Sequence, residues 1–555
     1  MRRSNARPPA IDPDSASSMD APKPQLRPPP ARLSFAPRIY SQGPKNHRTG
    51  IRFFLAAAAA AAVLLGLFHV SRISGSSKFG IIIDGGSTGT RIHVFRYSNR
   101  RGAMPVLDFG VMASMKVSPG LSAYSGNPEG ARRSLVELLE FGKGRVPRNQ
   151  WGETEIRLMA TAGLRLLDVG VAERILDSCR KVLRSSVLQF QDDWATVISG
   201  SDEGIYAWVA ANYALGSLGG DPEKTTGIVE LGGASAQVTF VSSEPLPPEF
   251  SHVLKFRETT YNLYSHSFLH LGQNVAYEAL HELLSSRVLK SSAESGQEPI
   301  YRDPCTPRGH SHSVELLKLS AGDLNSKTEY RPVAHATGNF SECRLASLEL
   351  LQKEKDKCLH QSCDLGSAFI PKLHGKLLAT ENFFYTAKFF GLGPTSFLSD
   401  LMLAGEQFCG EDWLKLKSIY HSVDEEDLLR YCFSSAYIMA LLHDSLGISL
   451  DEKRIGFANQ VGNIPLDWAL GAFIMQKMPR HSPEHSGWIT AIVGNDSSIL
   501  SLFVVPSVLI MAAWTVSKWR KPQLKTIYDL EKGRYIIRQV NTDDISCSRA
   551  SSHKR

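Results

Sequence analysis

Residues 79–97, FGIIIDGGSTGTRIHVFRY, read as strand, turn, strand: the apolar run Ile81, Ile82, Ile83 ends at Asp84, a turn of Gly, Ser and Thr follows, and alternation resumes at Ile92 and Val94. Residues 227–241, GIVELGGASAQVTFV, repeat the pattern 146 residues on, with Glu230 in the place of Asp84, Gly232 in that of Gly86 and Gln237 in that of Arg91. The repetition predicts two similar domains facing each other. A tight hairpin of Gly and small hydroxyl residues lets backbone N–H groups approach an anion closely. Two opposed hairpins can hold a polyphosphate from both sides, with the acid at each strand end facing the metal that accompanies it. One Gly-rich hairpin alone is an ordinary turn; two copies with an acid in register carry the reading. A P-loop is excluded because the chain has no GxxxxGK[ST], and a dinucleotide fold because each turn leads back into a strand.

The 555 residues, 43% hydrophobic and 21% charged, form a chain long enough for several domains and too apolar to be disordered throughout. The formal charge of +7 is carried by the ends: residues 1–52 hold ten basic and three acidic side chains, residues 517–555 ten and four. That leaves 42 basic against 48 acidic between them, a net −6, and such a body offers no field to recruit nucleic acid.

Residues 53–70 (FFLAAAAAAAVLLGLFHV) and 499–516 (ILSLFVVPSVLIMAAWTV) are free of charge for the length of a spanning helix, and both are expected to be transmembrane. With 52 residues ahead of it and no small-residue cleavage site, the first reads as an uncleaved signal anchor. Pro506 in the second is tolerable in a membrane helix. Arg27, Arg32, Arg38, Lys45, Arg48 and Arg52 precede the first run and Lys518, Arg520, Lys521 and Lys525 follow the second, which places both tails in the cytosol. The Pro-rich first tail, 1–52, reads as disordered and 517–555 as a basic tail. Residues from about 75 to 490 then face the secretory lumen or the exterior, in Golgi, another endomembrane or the plasma membrane, and oligomers can form through the spans. Seven of the eight cysteines lie there. Cys179 is isolated in an apolar stretch and is expected to stay reduced; Cys305, Cys343, Cys358, Cys363, Cys409 and Cys432 can form three bridges, their pairing open. Asn339 heads a glycosylation sequon; Asn495 heads another but stands close to the second span.

Five blocks in order, 84–91 (DGGSTGTR), 159–167 (MATAGLRLL), 201–216 (SDEGIYAWVAANYALG), 230–237 (ELGGASAQ) and 457–473 (FANQVGNIPLDWALGAF), resemble the apyrases, the nucleoside triphosphate diphosphohydrolases. The likeness spans about residues 79–487, and the GSTG form of the first turn resembles the membrane-anchored plant and Golgi members. It implies an α/β fold of two actin-like, RNase H-type lobes with the nucleotide between them: 75–196 with 460–487 as the first lobe, 197–459 as the second. The activity implied is metal-assisted hydrolysis of nucleoside tri- and diphosphates to monophosphate and phosphate, with Ca²⁺ or Mg²⁺.

By the same resemblance Glu203 is the catalytic base. The local sequence agrees in outline, a strand end at Thr196, a cap at Ser199 or Ser201 and helical spacing at Ile205, Trp208 and Val209, which sets Glu203 in a first turn. A first-turn acid is otherwise an ordinary partner of the helix dipole. Ser235 and Gln237 would contact the attacking water and the metal's water shell; Asp84 and Glu230 would orient the metal through water. Gly86, Ser87, Thr88, Gly89 and Arg91, with Gly232, Gly233, Ala234, Ser235, Ala236 and Gln237, would surround the phosphates. Thr161, Ala162, Gly163 and Arg165 would stabilise charge on the transferred phosphoryl group. Trp468 reads as packing, and Phe384 or Tyr385 as candidates for the base.

Two positions depart from the family pattern: Gly85 replaces Ala, a small change, and Glu230 replaces Asp, which moves the carboxylate by roughly one bond and predicts a lower rate or a different metal preference. The pairs His310 with His312 and His481 with His485 sit in loop and tether and read as solvated segments. A diphosphatase selective for GDP or UDP and a nucleotide-binding membrane protein of low turnover are the alternatives.

Overall fold

The computed structural model describes residues 77–98, 105–292, 300–313, 333–360 and 363–478, with short stretches at 509–510, 513, 524–529 and 534–539. The chain divides into two units, Val70–Ser497 and the two ends together. Both apolar runs, save Leu509, Ile510 and Ala513, lie outside the described residues, as do the Pro-rich tail, Asn495, His481 and His485. Among the described residues no helix is long and apolar enough to cross a membrane. In the unit made by the ends, 524–529 and 534–539 pair as an antiparallel hairpin.

The body is built from two sheets of like design. Strands β1 (Lys78–Gly85), β2 (Thr90–Ser98), β3 (Val106–Leu107), β4 (Ala113–Val117), β5 (Glu155–Ala160) and β6 (Ala195–Val197) form the first, in the order β3-β2-β1-β5-β6 with β4 also on β2. Strands β7 (Thr226–Leu231), β8 (Ser235–Val241), β9 (Ser251–Phe256) and β10 (Thr259–Leu269) open the second. A small sheet of β11 (Ile300–Asp303), β12 (Ser311–Ser313) and β13 (Val333–Ala336) intervenes, and β14 (Lys376–Glu381) and β15 (Ile455–Phe457) complete the order β15-β14-β7-β8-β10-β9. In each sheet an antiparallel pair is extended by two parallel strands: β1 with β2, then β5 and β6; β7 with β8, then β14 and β15. The registers match as well, Asp84 opposite Arg91 and Glu230 opposite Gln237, so the duplication read from the two hairpins is a duplication of structure.

Helices α1 (Pro128–Arg145), α2 (Val169–Arg184), α3 (Gly200–Ala214), α4 (Asn382–Phe389) and α5 (Trp468–Lys477) cover these sheets. Alternate residues of β1 go to opposite faces. Ile81 and Ile83 pack with Leu135 and Leu138 of α1 and Ile175 of α2, whereas Ile82 packs with Trp208 of α3 and Phe473 of α5. The second sheet divides the same way: Ile228 joins the Trp208 cluster and Val229 joins the outer one with Phe383 of α4. Helices α3 and α5 therefore lie between the sheets, buried from both sides, which is why α3 reads Ala207-Trp208-Val209-Ala210-Ala211 without a polar face. They cross where Gly471 meets α3; a Cβ there would stand 1.8 Å from the Tyr206 carbonyl oxygen, so no larger residue fits.

The six candidate cysteines pair as Cys305–Cys343, Cys358–Cys363 and Cys409–Cys432. Cys179 is free and buried, and burial pushes its thiol up to about 12.

Candidate active site

Both acid-Gly turns end at one cleft. A Cβ on Gly233 would stand 2.8 Å from Ser87 Oγ and 2.9 Å from Thr88 Cγ2, so the turn 232–234 faces the turn 86–89 directly. The second turn is clamped from behind: the carbonyls of Gly232, Gly233 and Ala234 accept from the N–H groups of Gln273, Asn274 and His270. The turn after β5 backs onto the first, with the Thr161 N–H donating to the Gly85 carbonyl at 3.1 Å and Gly163 against Ser87.

Glu203 is where its local sequence puts it. Ser199 caps α3, its Oγ accepting from the Asp202 N–H at 3.0 Å, and Glu203 follows in the first turn, 7% exposed. Arg165 reaches it across the cleft floor: one nitrogen donates to the Ile198 carbonyl at 3.0 Å, the other to Glu203 Oε2 at 2.7 Å and to Ser235 Oγ at 3.4 Å. Gln237 Nε2 donates to the same Ser235 Oγ at 2.7 Å and to Ser267 Oγ at 3.3 Å. Glu203 thus forms one network with Arg165, 38 positions before it, and with the Ser235–Gln237 pair of the second turn. Burial raises the Glu203 carboxyl above the usual range, against the lowering pull of Arg165 and Gln237.

Asp84 and Glu230 stand at the two strand ends. Asp84 Oδ1 and Glu230 Oε2 are buried and have no hydrogen-bond partner, an arrangement costly for a bare carboxylate. Burial holds both carboxyls well above the ordinary range, with further upward push on Asp84 from Asp467 and Glu203, and on Glu230 from Glu203, Glu381, Asp467 and Asp84. An orphaned oxygen from each turn is the donor a hard divalent cation takes, so these residues fit the family's cation. Among the described residues no three His, Cys, Asp or Glu side chains converge as direct ligands, so water would complete the shell.

Three charged groups had no role in the sequence reading. Asp467 caps α5, its Oδ1 accepting from the Ala469 N–H at 2.8 Å, and its Oδ2 stands 3.5 Å from Arg91 Nη1 and from His93 Nε2. Burial pushes His93 down, against the upward pull of Asp467. Arg91 is surrounded by Asp467, Glu381 and Asp84 and serves to offset that acid wall. Glu381 closes β14 with φ 58°, ψ −120°, its N–H donating to Asn459 Oδ1 at 2.7 Å. The duplication pointed to it: Gly85 pairs with Ala160 and Leu231 with Glu381, so Glu381 is the second sheet's counterpart of Ala160, just before the second block's Thr161. Lys116 Nζ donates to Thr88 Oγ1 at 3.4 Å on the exposed side.

Tyr385 stands at the rim, where burial and then Glu381 raise its phenol, and Phe384 meets it edge-on at 5.6 Å. Trp468 is buried in the central layer. Asn339 caps the helix Phe340–Leu351, its Oδ1 accepting from the Glu342 N–H at 3.1 Å. His310 lies 5.3 Å from the Trp413 ring.

Residues 71–482 match the GDA1/CD39 (nucleoside phosphatase) family. The chain is 52% identical to the Arabidopsis thaliana protein named probable apyrase 6, over 97% of this chain and 100% of that one. To ectonucleoside triphosphate diphosphohydrolase 1 of Bos taurus it is 28% identical, over 83% and 94%. A crystal structure of nucleoside triphosphate hydrolases from Neospora caninum shares its fold at TM-score 0.57 and 18% identity, over 77% of this chain and 97% of the other. With the duplicated sheets, the opposed turns and a match across most of its length, the chain belongs to the GDA1/CD39 nucleoside phosphatase family.

Proposed function

We propose that this protein is an apyrase, cleaving phosphoanhydride bonds of nucleoside tri- and diphosphates to leave the monophosphate. The observation that carries the reading is the network of Glu203, Arg165, Ser235 and Gln237 set beside two facing Gly-rich turns. Ser235 and Gln237 hold a water, Glu203 takes its proton, and the water oxygen forms a bond to the terminal phosphorus as the bond to the bridging oxygen breaks. The leaving nucleotide carries away that electron pair. Backbone N–H groups of the two turns and of Ala162 and Gly163 face the phosphate oxygens, the Thr161 N–H holding the Gly85 carbonyl behind them, and Arg165 offsets the charge that develops. Asp84 and Glu230 would hold a divalent cation, Ca²⁺ or Mg²⁺, through its water shell, and the ion would supply charge neutralisation for the phosphates.

The residue roles, the two-lobe division at 75–196 with 460–487 and at 197–459, and the base-binding part of Phe384 or Tyr385 belong to this proposal. So does the topology: two spans at 53–70 and 499–516, cytosolic tails, and a lumenal or extracellular body. Three disulfides and a glycosylation sequon at Asn339 support that side of the membrane. Phosphate release from ATP, ADP, GDP, UDP and AMP by the solubilised full chain tests the activity. Release from tri- and diphosphates with none from AMP is the expected pattern; release confined to GDP and UDP makes the protein a selective diphosphatase, and nucleotide binding without release overturns the enzyme.

A further inference from the structure

Five carboxylates face the cleft, and two of them are answered: Glu203 by Arg165, and Asp467 by Arg91 and the start of α5. Asp84, Glu230 and Glu381 have no such contact, although the charge of Arg91 reaches Asp84 and Glu381 and that of Lys116 reaches Glu381. Among the described residues no hydrogen bond or ion pair reaches the Glu381 carboxylate.

Its placement is not accidental. In a continued strand Glu381 would share the face of Leu231, its partner in register, and Leu231 is wholly buried in apolar core. The backbone instead reverses at φ 58°, ψ −120°, a conformation suited to Gly and strained for Glu. Three contacts hold the strained turn: the Glu381 N–H to Asn459 Oδ1 at 2.7 Å, the Asn382 side chain to the Leu231 carbonyl at 2.8 Å, and the Ala458 N–H to the Ala379 carbonyl at 3.2 Å. Two of these come from the fifth block and one ties the turn to the strand that carries Glu230. A sharp strand-to-helix turn of this kind lifts one side chain clear of the sheet at the carboxyl end of its strands. The first sheet has Ala160 at the matching place, so the device exists on one side only.

We propose that Glu381 is a third acid of the cation site, holding the ion's water shell together with Asp84 and Glu230, and that the strained turn exists to present it. The three do not converge as direct ligands, so Glu381 acts through water. Its charge reaches both Asp84 and Glu230. This inference rests on the proposed cation-dependent reaction and concerns the cation alone.

The test is Mn²⁺ binding without nucleotide, followed by electron paramagnetic resonance on the solubilised full chain, for wild type, Glu381→Gln and Glu381→Gly, with thermal unfolding in chelator. Both variants are expected to weaken Mn²⁺ by about 10-fold, the low end for loss of a group beyond the direct ligands. Glu381→Gly is expected to melt higher than wild type in chelator because the strain is relieved, so it reports even where Glu381→Gln folds poorly. Unchanged Mn²⁺ affinity in a folded variant overturns the role of Glu381 and leaves the apyrase reading intact. Failure of wild type to bind Mn²⁺ overturns the cation site itself.

Discussion

Arg165 donates to Glu203 Oε2 at 2.7 Å and to Ser235 Oγ at 3.4 Å, and so joins the first turn of α3 to the start of β8 through one guanidinium. Both members of the ion pair are largely buried, at 14% and 9% side-chain exposure. Removing Arg165 leaves an uncompensated charge in the cleft floor, which typically costs about 3–5 kcal/mol. Arg165→Ala is therefore expected to unfold at lower denaturant concentration. Because Arg165 pulls the Glu203 carboxyl down, the same variant is expected to lose activity at a higher pH on the acid side than wild type. An unmoved acid limb in the pH profile of kcat/KM means that Glu203 is not the titrating base.

Chelation exposes the cost of the acid pair. Asp84 and Glu230 have folded-state pKa values above their unfolded ones, so between the two the folded protein holds protons that the unfolded chain has released. Stability then falls as pH rises from the ordinary carboxylate value of about 4. In chelator, melting temperature is expected to drop from mildly acidic to neutral pH, and added divalent cation is expected to flatten the fall. In Glu230→Gln the fall in chelator is expected to be shallower. Identical pH profiles with and without cation contradict this.

Legibility in the sequence followed from how local each signal was. The acid-Gly hairpins could be read because strand, turn and acid lie within a few residues of each other and occur twice. Matching registers at Asp84–Arg91 and Glu230–Gln237 then followed from the alignment. Glu203 was placed by a cap and helical spacing. By contrast, the function of Asp467 hides behind an ordinary capping role, and its contacts to Arg91 and His93 join residues 376 positions apart in the first case. Glu381 was invisible because its exposure to the cleft depends on one backbone angle, fixed by Asn459 from another block. Pairing of the cysteines depends on tertiary closeness in the same way.

The gap between the turns is set by the absence of a side chain at Gly233. Gly233→Ala puts a methyl within 2.8 Å of Ser87 Oγ, so one turn must move aside. Displacement of about 1 Å at reacting groups costs on the order of 10²-fold, and kcat/KM is expected to fall by that order. Since the clash is with hydroxyl side chains at a cleft surface, melting temperature is expected to stay close to wild type. A variant with full activity would mean that the turns do not close on the phosphates together.

Glu230 reaches further into the cleft than Asp would. Retracting it by roughly one carbon–carbon bond widens the site, and the larger, more adaptable Ca²⁺ tolerates that better than Mg²⁺, which demands tight octahedral ligands. Glu230→Asp is expected to raise the ratio of Ca²⁺-supported to Mg²⁺-supported kcat/KM several-fold; an unchanged ratio rules out a part for Glu230 in choosing the metal.

The central claim is that Glu203 takes the proton of an attacking water at a nucleotide held between two turns. Its most direct test is phosphate release and nucleotide binding measured on the same preparations of wild type and Glu203→Gln, with divalent cation present. Release is expected to fall by about 10²- to 10⁴-fold in the variant while nucleotide affinity changes little. Release that persists at the wild-type rate in a folded Glu203→Gln protein would contradict the account.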